Sequence, residues 1–343
     1  MICFAWWGFP QYAARCVGAL SKAIDERIVV VATRPAVPVE GMDRLAGCEV
    51  KWIAEDDPRG IVELCGELPR VLFVSGWALA PFNRFRDEVH SGGGRVICMN
   101  DANFRLSCSE FLRGLLFRLR HRRHYDAFFV PGKSGRRLMR FYGVGSSKVA
   151  EGLYSADATL FHDGSPLAER EKKIIYVGQF IERKNVLRMC RAFRKANVKG
   201  DWSLELYGSG ALAAALSAEA ADGSIKVNAF CQPEQLAEKY RSAIGFCLPS
   251  LEEHWGLVVH EAALSGCVLL LSNRVGAAED LLVAENGIAF DPFSESAMTS
   301  AFARLMSMDL AQLCAAHDAS LKMAGLVGLN KFVEGCKTLI AHE

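Results

Sequence analysis

Several things are missing from this chain, and each absence removes a class of function. No apolar run approaches the ~18 residues that a membrane-crossing helix needs, and no secretory leader pattern opens the sequence, so a soluble protein is expected. There is no CxxC pair and no Cys/His cluster at ligand spacing, so no metal site is expected, zinc least of all. The twelve cysteines are scattered. Cys3, Cys98, Cys247 and Cys267 fall inside apolar runs and are expected as small buried hydrophobes in a reducing cytoplasm. No repeat and no low-complexity stretch occurs. Net charge is scarce, +1 from 40 Lys+Arg and 39 Asp+Glu, and no nucleic-acid partner is expected. Two phosphate-loop patterns are incomplete. Pro131-Gly132-Lys133-Ser134 lacks the earlier glycine of a Walker loop, Ala127 standing there, and fits a strand end with Ser134 capping a helix. Gly208-Ser209-Gly210 lacks the third glycine and the strand-end acid of a dinucleotide fingerprint, so no NAD is expected.

What is present is apolar substance, 51% of 343 residues, enough for two domains of roughly 150–170 residues, each with its own core. Charge divides unevenly. Residues 1–155 hold 22 Lys+Arg against 16 Asp+Glu, and the remainder 18 against 23. A basic first half suggests an anionic partner there. Short apolar runs bounded by turn residues predict strands at Ile2–Trp6, Arg27–Thr33, Val71–Ser75, Arg95–Met99 and Asp126–Val130. After a polar stretch at Asp163-Gly164-Ser165-Pro166 they resume at Lys173–Phe180, Ser203–Tyr207, Lys226–Phe230, Ala243–Leu248 and Cys267–Leu271. Helical spacing predicts helices over Ala13–Ile24, from Asn185 and over Leu329–Ile340.

The densest information lies between Pro249 and Gly266. The strand Ala243–Leu248 stops at Pro249-Ser250, a buried helix runs from Gly256 to Ser265, and Gly266 ends it before the next parallel strand. Such strand–helix–strand units bind ligands beyond the carboxyl ends of their strands. The amides of Gly256, Leu257 and Val258 open the helix and suit a diphosphate at its positive end. Glu253 stands in the loop before the helix and Glu261 lies eight residues on, about one and a half turns inside it. Glu261 is then within reach of a ribose diol, and Glu253 of whatever lies beyond the diphosphate.

The string Pro-Ser-x-x-Glu-x-x-Gly-x-x-x-x-Glu-Ala resembles the paired-glutamate signature of retaining glycosyltransferases with two Rossmann-like domains facing a cleft, the GT-B architecture, and especially family four. The resemblance is specific from about 172 to 290, where Gly276, Glu279 and Asn286-Gly287 also fit. Over 1–155 it rests on strand order and a few positions. It implies an α/β fold with an acceptor-side domain over 1–160, a nucleotide-sugar-binding domain over 161–325, and a terminal helix over 326–343 crossing back onto the first domain. The family's Gly-Arg and Lys-Gly cations on the donor diphosphate correspond here to Gly178-Gln179 and Lys184-Asn185. Lys184 keeps its place, while Gln179 carries no charge and Arg183 is the candidate to supply it. Gly8 stands for the glycine-rich loop after the first strand, and Phe230 and Cys231 for the loop that reads the nucleobase. Asn100-Asp101 stands where relatives often have a His-Asp pair. Asp101 either contacts the sugar or acceptor hydroxyl, or caps the following helix.

The resemblance therefore implies a metal-independent enzyme without a cofactor. It would move a sugar, with retention, from a nucleotide diphosphate sugar to the hydroxyl of a glycan or lipid-linked glycan in cell-surface polysaccharide or glycolipid synthesis. Glu253, Lys184 and Asp101 are the catalytic candidates. Two other readings stay open: a sugar-nucleotide 2-epimerase of the same architecture, and a non-catalytic nucleotide-sugar-binding partner subunit. The basic first half adds one expectation. In Phe111–His124, Phe111, Leu112, Leu115, Leu116 and Leu119 share one helical arc, with Arg113 and Arg120 nearly opposite and Arg118 beside it. With Arg122 and Arg123 following, the basic face is expected outward, either solvated or against anionic lipid at the inner leaflet of the cell membrane.

Overall fold

The first strand shows why this chain folds as it does. Every residue of β1, Ile2–Trp6, is buried, as happens only where a strand has neighbours on both sides and both faces covered. β1 runs parallel to β2, Ile28–Thr33, on one side and to β4, Val71–Ser75, on the other. β3, Glu49–Ile53, β5, Arg95–Met99, β6, Ala127–Val130, and β7, Val149–Glu151, complete the sheet. Its order is β3-β2-β1-β4-β5-β6-β7. The computed structural model describes residues 1–35, 41–105, 107–164 and 166–341. Ser165 of the expected polar stretch lies outside them.

The pleat sorts the first unit's core into two layers. Phe4, Val30, Phe73, Ile97 and Phe129 face one side, with Ala13, Val17, Phe332 and Leu339 packed over them. Cys3, Ala5, Val29, Leu72, Val96 and Phe128 face the other, beneath Phe82, Phe85, Phe117 and Leu138. Phe332 belongs to the last helix, Leu329–Ala341, and meets Phe129 at 5.3 Å between ring centroids. Gly335 permits that packing: a Cβ there would stand 2.7 Å from both the Glu151 carbonyl oxygen and the Phe129 ring. The chain accordingly divides into one unit of Met1–Ser155 plus the segment from Gly328 onward, and a second of Ala156–Val327.

The second unit repeats the plan. β8, Glu171–Val177, β9, Ser203–Tyr207, β10, Ile225–Asn228, β11, Ala243–Leu248, β12, Val268–Ser272, and β13, Gly287–Phe290, form a parallel sheet. Its order is β10-β9-β8-β11-β12-β13. Each sheet reverses direction once, between β1 and β4 and between β8 and β11. At those points the connecting helices leave to opposite faces and open a crevice at the strands' carboxyl ends.

Two local expectations need correction. Ser134 does not cap its helix. Gly132 precedes the helix Lys133–Phe141 without a side-chain cap, and Ser134 Oγ instead bonds Asn103 and the Phe104 amide. The helix Cys108–Arg120 is turned the other way from its expected docking. It packs through Glu110, Gly114 and Phe117, while Phe111, Leu112, Leu115, Leu116 and Leu119 are exposed. Aromatic contacts decide this: Phe117 stacks on Tyr142 at 5.0 Å and meets Phe128 at 5.7 Å, and Gly114 lets the Tyr142 ring approach. Among the described residues no helix is long and apolar enough to cross a membrane.

Candidate functional site

The second unit's switch point gathers the residues that matter. The loop after β8 leads into a short 3-10 turn, Glu182–Lys184, and the loop after β11 runs from Pro249 to Gly256. Backbone bonds hold the two together. The Leu251 amide donates to the Arg183 carbonyl at 2.9 Å. Asn185, in the left-handed region at φ 58°, sends its side-chain amide to the Pro249 and Pro292 carbonyls. Lys184 Nζ thereby reaches the carboxylate of Glu253 and forms a salt bridge, with side chains only 11% and 12% exposed. Ser250 Oγ donates to the same Glu253 oxygen at 3.1 Å. Glu253 is fixed from a third direction, its amide bonded to the Arg274 carbonyl and its carbonyl to the Gly276 amide, both at 3.2 Å. Two candidates 69 positions apart are thus in direct contact.

Arg183 and Gln179 turn out differently. Arg183 Nη1 donates to the Glu252 carbonyl at 2.6 Å, so part of its fork braces the Glu253 loop. Gln179 is exposed, and its carbonyl accepts from the Tyr176 hydroxyl at 2.9 Å. The turn is close-packed on the next one. A Cβ at Gly208 would run into the Gly178 carbonyl oxygen, and one at Gly210 would stand 2.5 Å from that of Phe180. Gly208-Ser209-Gly210 is therefore a packing device beneath the Lys184 turn, a role that the missing third glycine could not reveal.

The helix after Glu253 runs Leu257–Leu264, with Gly256 before it at φ 93°. A non-glycine residue is strained there. The first-turn amides of Gly256, Leu257 and Val258 have no intrahelical acceptor, as at any helix start, and carry its positive end. Glu261 lies further in, half-buried, and accepts from the Tyr240 hydroxyl at 3.2 Å. Burial pushes its carboxyl up to about 7, against the lowering effect of that hydroxyl. A carboxylate so poised accepts well from a pair of vicinal hydroxyls, which restore the solvation that it lacks. His260 faces the opposite side, wholly buried. Its Nδ1 accepts from the Ala156 amide at 3.0 Å and its Nε2 donates to the Ala324 carbonyl at 3.1 Å, while burial holds its pKa down to about 4. His260 and Tyr240 escape a sequence reading because only the fold brings their partners to them. Phe230 is 57% exposed beyond the end of β10, with Cys231 beside it.

In the first unit Gly8 follows β1 at φ 61°, its amide bonded to Thr33 Oγ1 at 2.8 Å. The preceding Trp7 amide donates to Ser75 Oγ, at the end of β4, at 3.2 Å. Gly8 thus stands at that sheet's switch point. Asn100 is buried and caps locally, its Oδ1 accepting from the Ala102 amide at 2.9 Å, while Asp101 accepts from the Tyr154 hydroxyl at 3.0 Å. Of the arginines after it, Arg118 donates to the Phe141 and Tyr142 carbonyls at 2.6 and 3.1 Å. Arg113, Arg120, Arg122 and Arg123 are exposed. Among the described residues no group of three or more His, Cys, Asp or Glu could hold a metal ion.

Residues 157–319, nearly the whole second unit, match the family described as Glycosyl transferases group 1. No curated protein sequence matches the chain. Solved structures do. A glycosyltransferase from Rickettsia africae ESF-5 superposes with a TM-score of 0.77 at 10% identity, over 100% of this chain and 99% of its own. Anabaena Alr3699/HepE, in complex with UDP, gives 0.75 at 11% identity over 99% of both chains. WaaG, a glycosyltransferase involved in lipopolysaccharide biosynthesis, gives 0.66 at 14% identity over 100% of both. These likenesses concern the fold, which is GT-B.

Proposed function

We propose that this chain, whose residues 157–319 match glycosyl transferases group 1 on a GT-B fold, transfers a sugar from a nucleoside diphosphate sugar to an acceptor hydroxyl with retention. The diphosphate sits at the start of the helix Leu257–Leu264, against the amides of Gly256, Leu257 and Val258. Lys184 supplies its principal positive charge, with Arg183 and the Gln179 turn beside it. Glu261 accepts from the ribose hydroxyls, and Phe230 and Cys231 lie against the base. Glu253 accepts from a hydroxyl of the donor sugar and holds the anomeric carbon in place.

The observation that carries this reading is the Lys184–Glu253 contact at the switch point, set one helix start from Glu261. Departure of a nucleoside diphosphate leaves negative charge on its terminal phosphate. Fixed cations and amides aimed there lower the barrier without reorganising. That charge is met by the chain itself, through Lys184, Arg183 and the helix start, so the transfer proceeds without a metal. In a retaining transfer the bond to the leaving oxygen breaks on the face where the acceptor bond forms. The departing phosphate oxygen is then placed to take the acceptor's proton, and no separate base is required. Asp101 and Gly8, at the strand ends of the first unit, serve the acceptor or the sugar. The acceptor is a glycan, or a lipid-linked glycan reached at an anionic membrane face, in cell-surface polysaccharide or glycolipid synthesis. The fold shared with WaaG supports that assignment. The UDP of the HepE complex makes a uridine donor the first to try.

A thermal-shift panel of UDP-, GDP-, ADP- and dTDP-sugars tests the proposal, because a ligand that binds only the folded state raises its melting temperature by mass action. One nucleotide class should stabilise selectively and be hydrolysed slowly. Stabilisation without turnover in the presence of any acceptor would favour a non-catalytic binding subunit.

A further inference from the structure

Among the described residues, five of the twelve large hydrophobic side chains that stand exposed belong to one helix, Cys108–Arg120. Phe111 is 68% exposed, Leu112 58%, Leu115 47%, Leu116 41% and Leu119 67%. Single exposed leucines are ordinary, but a contiguous row marks an interaction surface. At about 100° per residue the row covers roughly 140° of the helix circumference, nearly opposite the packed residues Glu110, Gly114 and Phe117. Arg113 and Arg120 are not opposite this row, as expected, since that side is the packed one; they stand on one of its shoulders, about 60° and 40° past Leu116, and Arg118 stands on the other. Arg122 and Arg123 follow just past the end, both exposed. The helix's one acid, Glu110, is buried and accepts from the Tyr142 hydroxyl.

We propose that the helix Cys108–Arg120 lies in the surface of an anionic lipid bilayer, with Phe111, Leu112, Leu115, Leu116 and Leu119 inserted among the acyl chains and the flanking arginines at the phosphate level. The inference rests on the membrane-side acceptor reading above and names the surface that realises it. A helix with a wide apolar face, cationic shoulders and too little length to span takes this position at an interface. The charge pattern selects lipid over a second copy of the chain. From Arg105 to Lys148 there are eleven Lys+Arg and two acids. A two-fold pairing through the same face would set arginine against arginine, whereas a phosphate plane answers the exposed Arg113, Arg120, Arg122 and Arg123, while Arg118 stays bonded to the Phe141 and Tyr142 carbonyls. The outward turn of the leucines also changes what binding should depend on. Salt would abolish binding that rested on arginines alone, whereas inserted leucines preserve part of it.

The test is flotation of the full-length protein with vesicles of phosphatidylcholine, with and without phosphatidylglycerol. Leu115→Ser with Leu119→Ser is compared with Arg120→Gln, Arg122→Gln and Arg123→Gln together. All five positions are exposed, so the melting temperature and its rise with nucleotide should stay as in the wild type. Wild-type protein should float with anionic vesicles and keep part of its binding in high salt. The leucine variant should lose about tenfold or more, and the arginine variant should lose its preference for anionic lipid. Leu115→Trp should add to the emission of the six native tryptophans a component that shifts to the blue on anionic vesicles. If the leucine variant floats like wild type while the arginine variant does not, insertion is wrong and the looser membrane reading survives. If wild type ignores both vesicle types, both fall. If wild type self-associates and the leucine variant does not, the face joins copies and the lipid assignment is overturned.

Discussion

Replacing Lys184 or Glu253 separates two roles that their contact joins. The side chains are only 11% and 12% exposed, and Ser250 Oγ adds a second donor to the same carboxylate. Removing one partner of a buried ion pair costs roughly 3–5 kcal/mol, because the other charge stays behind. This pair keeps an opening to solvent, so a loss at the lower end, about 3 kcal/mol, is expected for Lys184→Met in urea unfolding. Ligand affinity should follow a different rule. In the proposed site Glu253 holds, without ligand, the cation assigned to the diphosphate, and adds negative charge beside it. Two unit charges roughly 6 Å apart interact by about 3 kcal/mol at an effective dielectric of ~20, and solvent screening leaves about 1 kcal/mol of that. Glu253→Gln should therefore bind the free nucleoside diphosphate about fivefold more tightly, while turnover falls about a hundredfold through lost positioning. Lys184→Met should lose a charge-assisted contact of about 1.5–3 kcal/mol, tenfold or more in affinity, and at least tenfold in activity. Isothermal titration with the nucleoside diphosphate, beside donor turnover, separates these effects. If Glu253→Gln weakened diphosphate binding as much as Lys184→Met, Glu253 would belong to the diphosphate and the division of roles would be wrong.

With Glu261 on the ribose as proposed and its carboxyl at about 7, nucleotide affinity should rise with pH from about 6 to 8 as the better acceptor forms, and Glu261→Gln should bind weakly at every pH without that rise. The same raised pKa makes Glu261 cost folding stability as pH climbs from about 4.5 through about 7, a slope that chemical unfolding should lose in Glu261→Gln. His260 has the opposite sign: its pKa near 4 in the folded chain lies below its unfolded value, so stability is full above about 6.5 and declines as pH falls toward 4. His260→Gln should flatten that limb and also cost about 1–3 kcal/mol, since one of two buried backbone groups is left unpaired. Gly208→Ala should destabilise the second unit and lower donor affinity, because the Gly178 carbonyl must move and the Lys184 turn with it; unchanged nucleotide-induced thermal stabilisation would refute that link.

How far the sequence could be read depended on where each element lies in its sheet. The central strands β1, β2, β4, β5, β8, β9, β11 and β12 are buried runs bounded by turn residues, and their apolar signal alone finds them. The strands that escaped, β3, β7 and β13, are all sheet edges. β3 is half-exposed with Glu49 and Lys51 in it, and β7 and β13 are three and four residues long. The edge strand β10 was found, though shifted toward Phe230. The glutamate loop was legible because its spacing encodes a strand end, a helix start and a point inside that helix. The contact between Glu253 and Lys184 was not, since it depends on a strand-order reversal that no local pattern records. The orientation of Cys108–Arg120 was misjudged for a related reason. Periodicity locates an apolar arc but not what faces it, and here a glycine and one phenylalanine pack inward while the five apolar side chains of the arc stand exposed.

The most direct test of the central claim follows the donor's anomeric centre. With the nucleotide sugar that stabilises the protein, proton NMR taken early in turnover should show nucleoside diphosphate released and the first-formed sugar or glycoside in the donor's own anomeric configuration. Both signals should form about a hundredfold more slowly in Glu253→Gln and at least about tenfold more slowly in Lys184→Met. Formation of the opposite anomer, or turnover undiminished in those two variants, would contradict a retaining transfer centred on this pair.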